Sequence, residues 1–376
     1  MPFPRPHISP DSFFHETTAS SASTSQASRY PTTIYFITGN PGLISYYHAF
    51  LSSLGQKLSS LIGNGSISVR NPESHERMSK STIHILGHSL AGFELESERP
   101  TKAKEDGEHY YSLEEQICYV QEKLKGHMAD LRSEYSSATS SFAGRPKLIL
   151  IGHSVGTYMT MEILRRHRES LRERDFDIVG GVLLFPTVKD ISASPSGRKL
   201  TFLLRLIPRL ALVVSIFARI LTTLLPSSIL TAIVNLVMKG PPREAAAATC
   251  SFLRSKRGVR QALHMAADEM RTITTDKWTD DVWGVSSPPT GEAKSKPELA
   301  PPAQLFFYFG RNDHWVAERT REEIVAARGS AETKDGGKGK GPRMVICEEA
   351  VPHAFCLRHS ELMAGKTADM ISEILR

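Results

Sequence analysis

The stretch LILIGHSVG, residues 148–156, decides the fold class of this chain. Its first four residues are apolar, which is typical of a short strand that is buried on both faces of a parallel sheet. Two glycines bracket Ser154 in a G-x-S-x-G pattern, and a helical pattern follows over Tyr158–Leu171. A tight turn between strand and helix projects its serine hydroxyl above the sheet. The sequence therefore predicts a nucleophile elbow with Ser154 at its tip and with the amide of Val155 available to an oxyanion.

Strand and helix patterns alternate on both sides of this elbow. Runs of β-branched and aromatic residues favour strands, whereas apolar residues three or four apart favour helices. The predicted strands span 33–38, 82–86, 148–151, 178–185, 304–309 and 343–347, and the clearest helices span 46–58, 112–133, 158–171 and 362–375. Such alternation predicts an α/β fold in which helices flank a mostly parallel central sheet.

Length, composition and charge narrow the class of protein. The 376 residues suit one large α/β domain with an insertion, and 40% apolar residues with 23% charged residues exclude wholesale disorder. Of the 46 basic residues, seven lie in Ile191–Arg243, which has no acidic residue, so the rest of the chain holds 39 basic and 40 acidic residues. Because the positive charge is local, no nucleic acid is expected as a partner. Four cysteines without C-x-x-C spacing oppose a zinc ribbon or a disulfide framework.

The same patterns predict how the chain is divided. Residues 1–30 are rich in Ser and Thr and lack the apolar stretch of a secretory signal, so a disordered tail is expected. The α/β core is expected in two parts, 31–190 and 303–376. Between them lie an apolar, basic helical insertion at 191–285 and a Pro/Ser/Lys linker at 286–302.

A serine nucleophile needs a base, and the base needs an orienting carboxylate. In the α/β-hydrolase order, both follow the serine along the chain. Asp313 comes just after the strand that ends at Phe309, and His353 comes after the last strand. These loop positions predict Asp313 as the acid and His353 as the base. Asp190 is the reserve acid, and His314 and His359 are the less favoured bases.

A second serine competes for the role of nucleophile. The string GHSLAG at 87–92 also follows a strand, and Ser89 is its serine. Ala91 stands where the second glycine belongs, and the following residues lack an apolar helical face and meet Pro100. Ser89 is therefore expected on a loop near the cleft.

The turn after the first strand supplies the other candidate for an oxyanion donor. Its sequence is Gly39-Asn40-Pro41-Gly42, and Pro41 has no N–H. Asn40 is the first candidate and Gly42 is the second. The alternative is a plain Asn-Pro-Gly turn.

The most apolar part of the chain, Leu200–Met238, is interrupted by arginines and by Pro208 and Pro226. No uninterrupted run reaches the ~20 apolar residues of a spanning helix, so two or three short helices are predicted. On one continuous helical wheel the arginines cluster on one side with Thr201, while Ser215 and Thr222 lie nearer the edge of that side. This pattern favours docking of the 200–238 segment on a lipid surface. The alternative, which is compatible, is a cap that covers the cleft.

Several strings resemble the lipid droplet-associated hydrolases, a branch of the α/β-hydrolase superfamily. They run in the family's order over about residues 33–375: Ile37–Gly42 with Tyr47 and Phe50, Gly152–Tyr158, Leu184–Thr187 with Ser194–Gly197, Phe307–Gly310 with Asp313 and Trp315, and Val351–Phe355. The resemblance implies Ser154, Asp313 and His353 as nucleophile, acid and base. It also implies hydrolysis of lipid esters, with sterol esters the proposed substrates, on lipid droplets and the cytosolic face of the endoplasmic reticulum. No metal or organic cofactor is expected.

Two other functions stay open at this point. One is a lipid-droplet or membrane-associated scaffold with a vestigial site. The other is a thioesterase or peptidase with the same three residues, because fold and triad are shared among acyl-transfer enzymes.

Overall fold

The computed structural model describes residues 7–17, 30–64, 82–95, 109–138, 144–170, 175–285, 301–329 and 341–376. In these residues a central sheet has eight strands in the order β1-β2-β4-β3-β5-β6-β7-β8. The strands are β1 His7–Ile8, β2 Ser12–Thr17, β3 Thr32–Ile37, β4 Ile83–His88, β5 Lys147–His153, β6 Asp177–Leu184, β7 Gln304–Phe309 and β8 Arg343–Ile346. Every neighbouring pair from β4 across to β8 is parallel, whereas β2 pairs antiparallel with β4 and with β1. The prediction of a mostly parallel sheet is confirmed.

Helices cover both faces of the sheet. They are α1 His48–Gly63, α2 Leu113–Ala138, α3 Val155–Glu169, α4 Pro195–Leu206, α5 Leu210–Leu224, α6 Ser227–Val237, α7 Arg243–Arg254, α8 Gly258–Thr272, α9 Glu318–Arg328 and α10 Ser360–Ile374. Side chains that alternate along a strand enter opposite layers. In β3, Tyr35 and Ile37 join the core formed with α2 and α3, whereas Ile34 and Phe36 join the core formed with α1 and α10.

The N-terminal residues depart from the expected disordered tail. Residues 7–17 form β1 and β2, and β2 extends the sheet along β4 from Ser12↔His88 to Thr17↔Ile83. Phe13 is buried in the layer of α1 and Phe14 in the layer of α2, which stabilises this edge. The Ser/Thr-rich composition of residues 1–30 predicted disorder and gave no indication of this short strand. The rest of the expected tail, residues 1–6 and 18–29, lies outside the described residues, as does most of the predicted linker at 286–302.

Helices α4 to α8 lie between β6 and β7. Helix α4 ends at Leu206 and α5 ends at Leu224, next to Pro208 and Pro226, so the prediction of short helices is confirmed. No single helix in the described ranges is long and apolar enough to cross a membrane, although α4 and α5 pass that test as a pair bent by 93°.

The continuous helical wheel over this segment is wrong. Because α4 and α5 are bent against each other, one wheel cannot describe both. Ser215, expected near the arginine side, is buried together with Leu210 and Ala218. Large apolar side chains such as Phe217 point outward instead, beside the exposed Arg219.

Candidate active site

The turn between β5 and α3 holds Ser154 in a strained conformation. Its φ of 53° and ψ of −126° lie outside the regions that ordinary residues favour. The flanking glycines permit close backbone approach. A Cβ on Gly152 would lie 2.5 Å from the carbonyl oxygen of Gly156, and one on Gly156 would lie 2.4 Å from that of Ile37. The sequence expectation of a tight elbow therefore has a steric basis.

Three side chains distant in sequence meet above the carboxyl edge of the sheet. The Oγ of Ser154 lies 2.8 Å from Nε2 of His353, and Nδ1 of His353 lies 2.9 and 2.8 Å from the carboxylate oxygens of Asp313. Because Asp313 follows β7 and His353 follows β8, the parallel sheet brings both loops to the same edge as the elbow. The three residues predicted as nucleophile, base and acid are thus in hydrogen-bonding contact.

The carboxylate of Asp313 is buried and well held. One of its oxygens also accepts a hydrogen bond of 2.8 Å from the amide of Trp315. A carboxylate accepts only, so Nδ1 of His353 carries the proton and Nε2 is left to accept from the serine hydroxyl. This tautomer is the one that general-base catalysis needs.

The turn after β3 lies beside the elbow because β3 and β5 are neighbours, with Ile37 opposite Gly152. Across the described residues, neither the amide of Asn40 nor that of Val155 has a hydrogen-bond acceptor. Both predicted oxyanion donors are therefore free to bind a ligand oxygen. Gly42, the second candidate, has a packing reason to be glycine, since a Cβ there would lie 2.5 Å from Cβ of Leu90.

The side chain of Asn40 has a role that sequence analysis missed. Its Nδ2 donates hydrogen bonds of 2.9 Å to the carbonyl oxygen of Ala262 and to Oε1 of Glu269, both on α8. Burial raises the pKa of Glu269 to about 8, and the bond from Asn40 lowers the pKa by a smaller amount. The contacts fasten the candidate oxyanion loop to the inserted helices. No local pattern signals this pairing, because its members are more than 200 residues apart.

The alternative candidates for nucleophile, acid and base are not part of the hydrogen-bonded group of Ser154, His353 and Asp313. Ser89 is buried, and its hydroxyl accepts a hydrogen bond of 3.2 Å from the amide of Ile44. Asp190 has a left-handed backbone, and its amide donates to the carbonyl oxygen of Thr274. Neither side chain has a hydrogen bond to His353 within the described ranges. His314 and His359 are likewise not joined to Ser154 there.

The described residues contain no group of three or more His, Cys, Asp or Glu side chains that could hold a metal ion. The expectation that the chemistry needs no cofactor stays a prediction.

Comparison with known proteins shows which family the chain belongs to. A family model described as lipid-droplet associated hydrolase matches residues 30–356. The lipid droplet-associated hydrolase of Gallus gallus is 26% identical over 345 residues, which cover 90% of this chain and 84% of that protein. Its namesake in Homo sapiens is 26% identical over 346 residues, which cover 91% and 85%.

A solved structure supports the fold alone. The crystal structure of wild-type DBJA superposes with a TM-score of 0.50 at 13% identity, covering 96% of this chain and 95% of that one. The fold class predicted from the sequence is confirmed as an α/β-hydrolase. Since the family model spans most of the chain, from β3 to the loop after β8, the chain belongs to the lipid-droplet associated hydrolase family.

Proposed function

We propose that this protein hydrolyses carboxylic esters of lipids at a lipid-droplet or membrane surface through an acyl-enzyme on Ser154. The observation that carries the proposal is the continuous contact from Ser154 Oγ through His353 to the Asp313 carboxylate, with each step at 2.8–2.9 Å. Sterol esters are the substrates that we propose first, by the family resemblance.

The reaction runs in two acyl-transfer steps. His353 Nε2 takes the proton of Ser154 as its oxygen attacks the ester carbonyl carbon, and the carbonyl electron pair moves to the oxyanion. The oxyanion then collapses, the ester C–O bond breaks, and the leaving alcohol receives the proton from His353. Water repeats the sequence on the acyl-enzyme, so acid and free serine are the final products.

The remaining groups of the site stabilise the charges that develop during the reaction. The amides of Asn40 and Val155 donate to the oxyanion, which is stabilised more in the transition state than the neutral carbonyl is in the ground state. Asp313 keeps His353 in the required tautomer and stabilises the imidazolium form.

The lipid surface is proposed to bind an apolar docking face, which we define as the exposed side chains of Phe202–Val237. Twelve of the sixteen large apolar side chains that are exposed in the described residues belong to this face. Phe217 is 66% exposed, Leu224 is 75% exposed and Leu236 is 79% exposed. So many exposed apolar side chains within one segment favour its burial against a partner.

Charge favours lipid as that partner. Exposed Arg205, Arg209 and Arg219 accompany the docking face, and Ile191–Arg243 has no acidic residue to repel phosphate groups. The names of the relatives point the same way, since they are called lipid droplet-associated. We propose droplets and the cytosolic face of the endoplasmic reticulum as the location.

Labelling with a fluorophosphonate probe tests the enzymatic proposal. We expect the purified protein to be labelled, the Ser154→Ala variant to be unlabelled, and the Ser89→Ala variant, as the matched control, to be labelled like wild type. Ester profiling with sterol, glyceryl and thioester substrates then assigns the substrate class. An unlabelled wild-type protein would instead support a scaffold that acts through the docking face, and labelling retained in Ser154→Ala would refute the assigned nucleophile.

A further inference from the structure

Behind the three reacting side chains lies a second chain of hydrogen bonds, formed by Tyr47 and His153. We infer that these two are positioning residues that hold the loop of His353, after β8, against the candidate oxyanion loop, Gly39–Gly42, after β3. The inference rests on the proposed function, in which His353 is the base and the Asn40 amide binds the oxyanion. Nothing in the triad itself requires either side chain, because neither touches Ser154 Oγ or Asp313 through a hydrogen bond in the described residues.

Tyr47 and His153 form three hydrogen bonds, and each bond has only one possible donor and acceptor. Nε2 of His153 lies 2.9 Å from the carbonyl oxygen of His353, and a carbonyl oxygen can only accept, so Nε2 carries the proton. Nδ1 of a neutral imidazole then accepts, and the Tyr47 hydroxyl donates to it over 2.8 Å. The oxygen of Tyr47 accepts in turn from the amide of Gly39 at 3.2 Å, one residue before the Asn40 amide.

Burial keeps these hydrogen-bonded side chains in one protonation state. His153 and Tyr47 are each 4% exposed. Burial and the neighbouring His353 lower the pKa of His153 well below the ordinary value, so its ring stays neutral near pH 7. A neutral ring has one donor and one acceptor, which matches the two partners that it has here.

The surrounding packing leaves the two side chains little freedom. Phe355 lies edge-on against both His153 and Tyr47, with ring centroids 5.0 and 6.2 Å away. A Cβ on Gly39 would lie 2.9 Å from Nδ1 of His153, so the oxyanion loop approaches the ring as closely as glycine permits. The end of β5 is thereby joined to the segments that follow β3 and β8.

A change at Tyr47 should act on both loops together. Without the hydroxyl, the Gly39 amide loses its acceptor and His153 Nδ1 loses its donor. The ring can then carry its proton on Nδ1, which would turn a lone pair of Nε2 toward the His353 carbonyl and break that bond. Displacement of a reacting group by about 1 Å can cost on the order of 100-fold in rate.

The first test compares Tyr47→Phe with Tyr46→Phe on a short soluble ester. Tyr46 is the matched control, because its hydroxyl also has a partner at 2.8 Å, Thr249 on α7, away from the triad. We expect kcat of Tyr47→Phe to fall by about 10- to 100-fold with KM within about twofold, while kcat of Tyr46→Phe stays near wild type. Equal kcat values in wild type and Tyr47→Phe would overturn the inference.

Substitutions of His153 separate positioning from general stability. Gln places an N–H where Nε2 lies and can still donate to the His353 carbonyl, whereas Asn is shorter and reaches only the position of Nδ1. We expect His153→Gln to keep kcat within about tenfold of wild type and His153→Asn to lose about 100-fold, with thermal midpoints alike in the two variants. Equal losses in both would contradict the positioning role.

A double variant completes the test. If Tyr47 and His153 act together, Tyr47→Phe should cost less in the His153→Asn background than in wild type, because mainly the Gly39 contact is left to lose, whereas independent residues would give additive losses. Failure of this inference is distinct from failure of the proposed function. The first leaves wild type labelled by fluorophosphonate and Tyr47→Phe fully active, while the second leaves wild type unlabelled.

Discussion

The side-chain amide of Asn40 donates a hydrogen bond of 2.9 Å to the carboxyl group of Glu269, which joins the candidate oxyanion loop to α8 of the insertion. Helix α8 is also the helix on which α5 packs. One helix therefore contacts both the loop beside the proposed nucleophile and the segment that carries the docking face.

Replacement of Asp313 by Asn should abolish most of the activity while leaving the fold intact. An amide at this position can donate to Nδ1 of His353, which would favour the tautomer that cannot accept the serine proton. We expect kcat to fall by about 10³- to 10⁴-fold, which is the scale of loss that the wrong histidine tautomer causes in Ser-His-Asp proteases. Asp190→Asn is the control, and a comparable loss of kcat in that variant would assign the role of the acid to Asp190.

The buried carboxyl of Glu269 should make stability depend on pH. Its pKa is raised from 4.5 to about 8 in the folded protein, so between these values the folded state binds more protons than the unfolded state. The free energy of unfolding contributed by this group is therefore fully present below about pH 4.5 and is lost as the pH rises toward 8.

Glu269→Gln removes this titration but keeps an acceptor for Asn40. We expect urea unfolding at pH 6 and at pH 9 to show a smaller loss of stability in Glu269→Gln than in wild type. Glu322→Gln, which removes an exposed carboxylate of α9, should retain the wild-type loss. The same loss in Glu269→Gln as in wild type would show that the carboxyl does not titrate in this range.

Gly156 should tolerate no side chain. A Cβ there would lie 2.4 Å from the carbonyl oxygen of Ile37, so Gly156→Ala must push β3 away from α3. We expect a destabilisation of about 1–3 kcal/mol or more, together with loss of probe labelling at Ser154.

Gly126 is the matched control for that change. It lies within α2 with no heavy atom within 4 Å of a Cβ, so Gly126→Ala should raise the free energy of unfolding by about 0.5–1 kcal/mol through helix propensity alone. Denaturant unfolding of both variants measures the contrast. A Gly156→Ala protein as stable as wild type would disprove the steric account of the elbow.

Acidic substitutions on the docking face should weaken binding to lipid. Phe217 and Leu224 are 66% and 75% exposed, so Phe217→Glu with Leu224→Glu leaves the core intact while placing charge where acyl chains are proposed. Each apolar side chain contributes about 1.5–3 kcal/mol when fully buried, so partial burial of two predicts about 10- to 100-fold weaker partitioning onto phospholipid-coated triacylglycerol droplets.

Ile8→Glu serves as the control for that experiment. Ile8 is 59% exposed on β1, outside the inserted helices. Flotation of droplets with the full-length proteins should recover Ile8→Glu with the droplets and leave the double variant behind. Recovery of the double variant at the wild-type level would assign the docking face to another partner.

Local patterns in the chain were enough to predict most of the sheet and the meeting of Ser154, Asp313 and His353. The reason is that each residue follows a strand, and parallel strands end at one edge whatever the connections between them are. The same reasoning missed β2, because this six-residue strand depends on its pairing with β4 and on the two core layers that bury Phe13 and Phe14 more than on its own composition.

The sequence by itself determined the elbow, the order of Ser154, Asp313 and His353 along the chain, and the interruptions between α4, α5 and α6, because strand patterns, glycines and prolines act within a few residues of themselves. Only the tertiary structure decided that Asn40 contacts Glu269, that His153 contacts the His353 carbonyl, and that α5 turns Ser215 inward and Phe217 outward. These contacts join segments that are distant along the chain, or depend on which side of a helix meets its neighbour, so they follow from how the folded layers pack and not from any local periodicity.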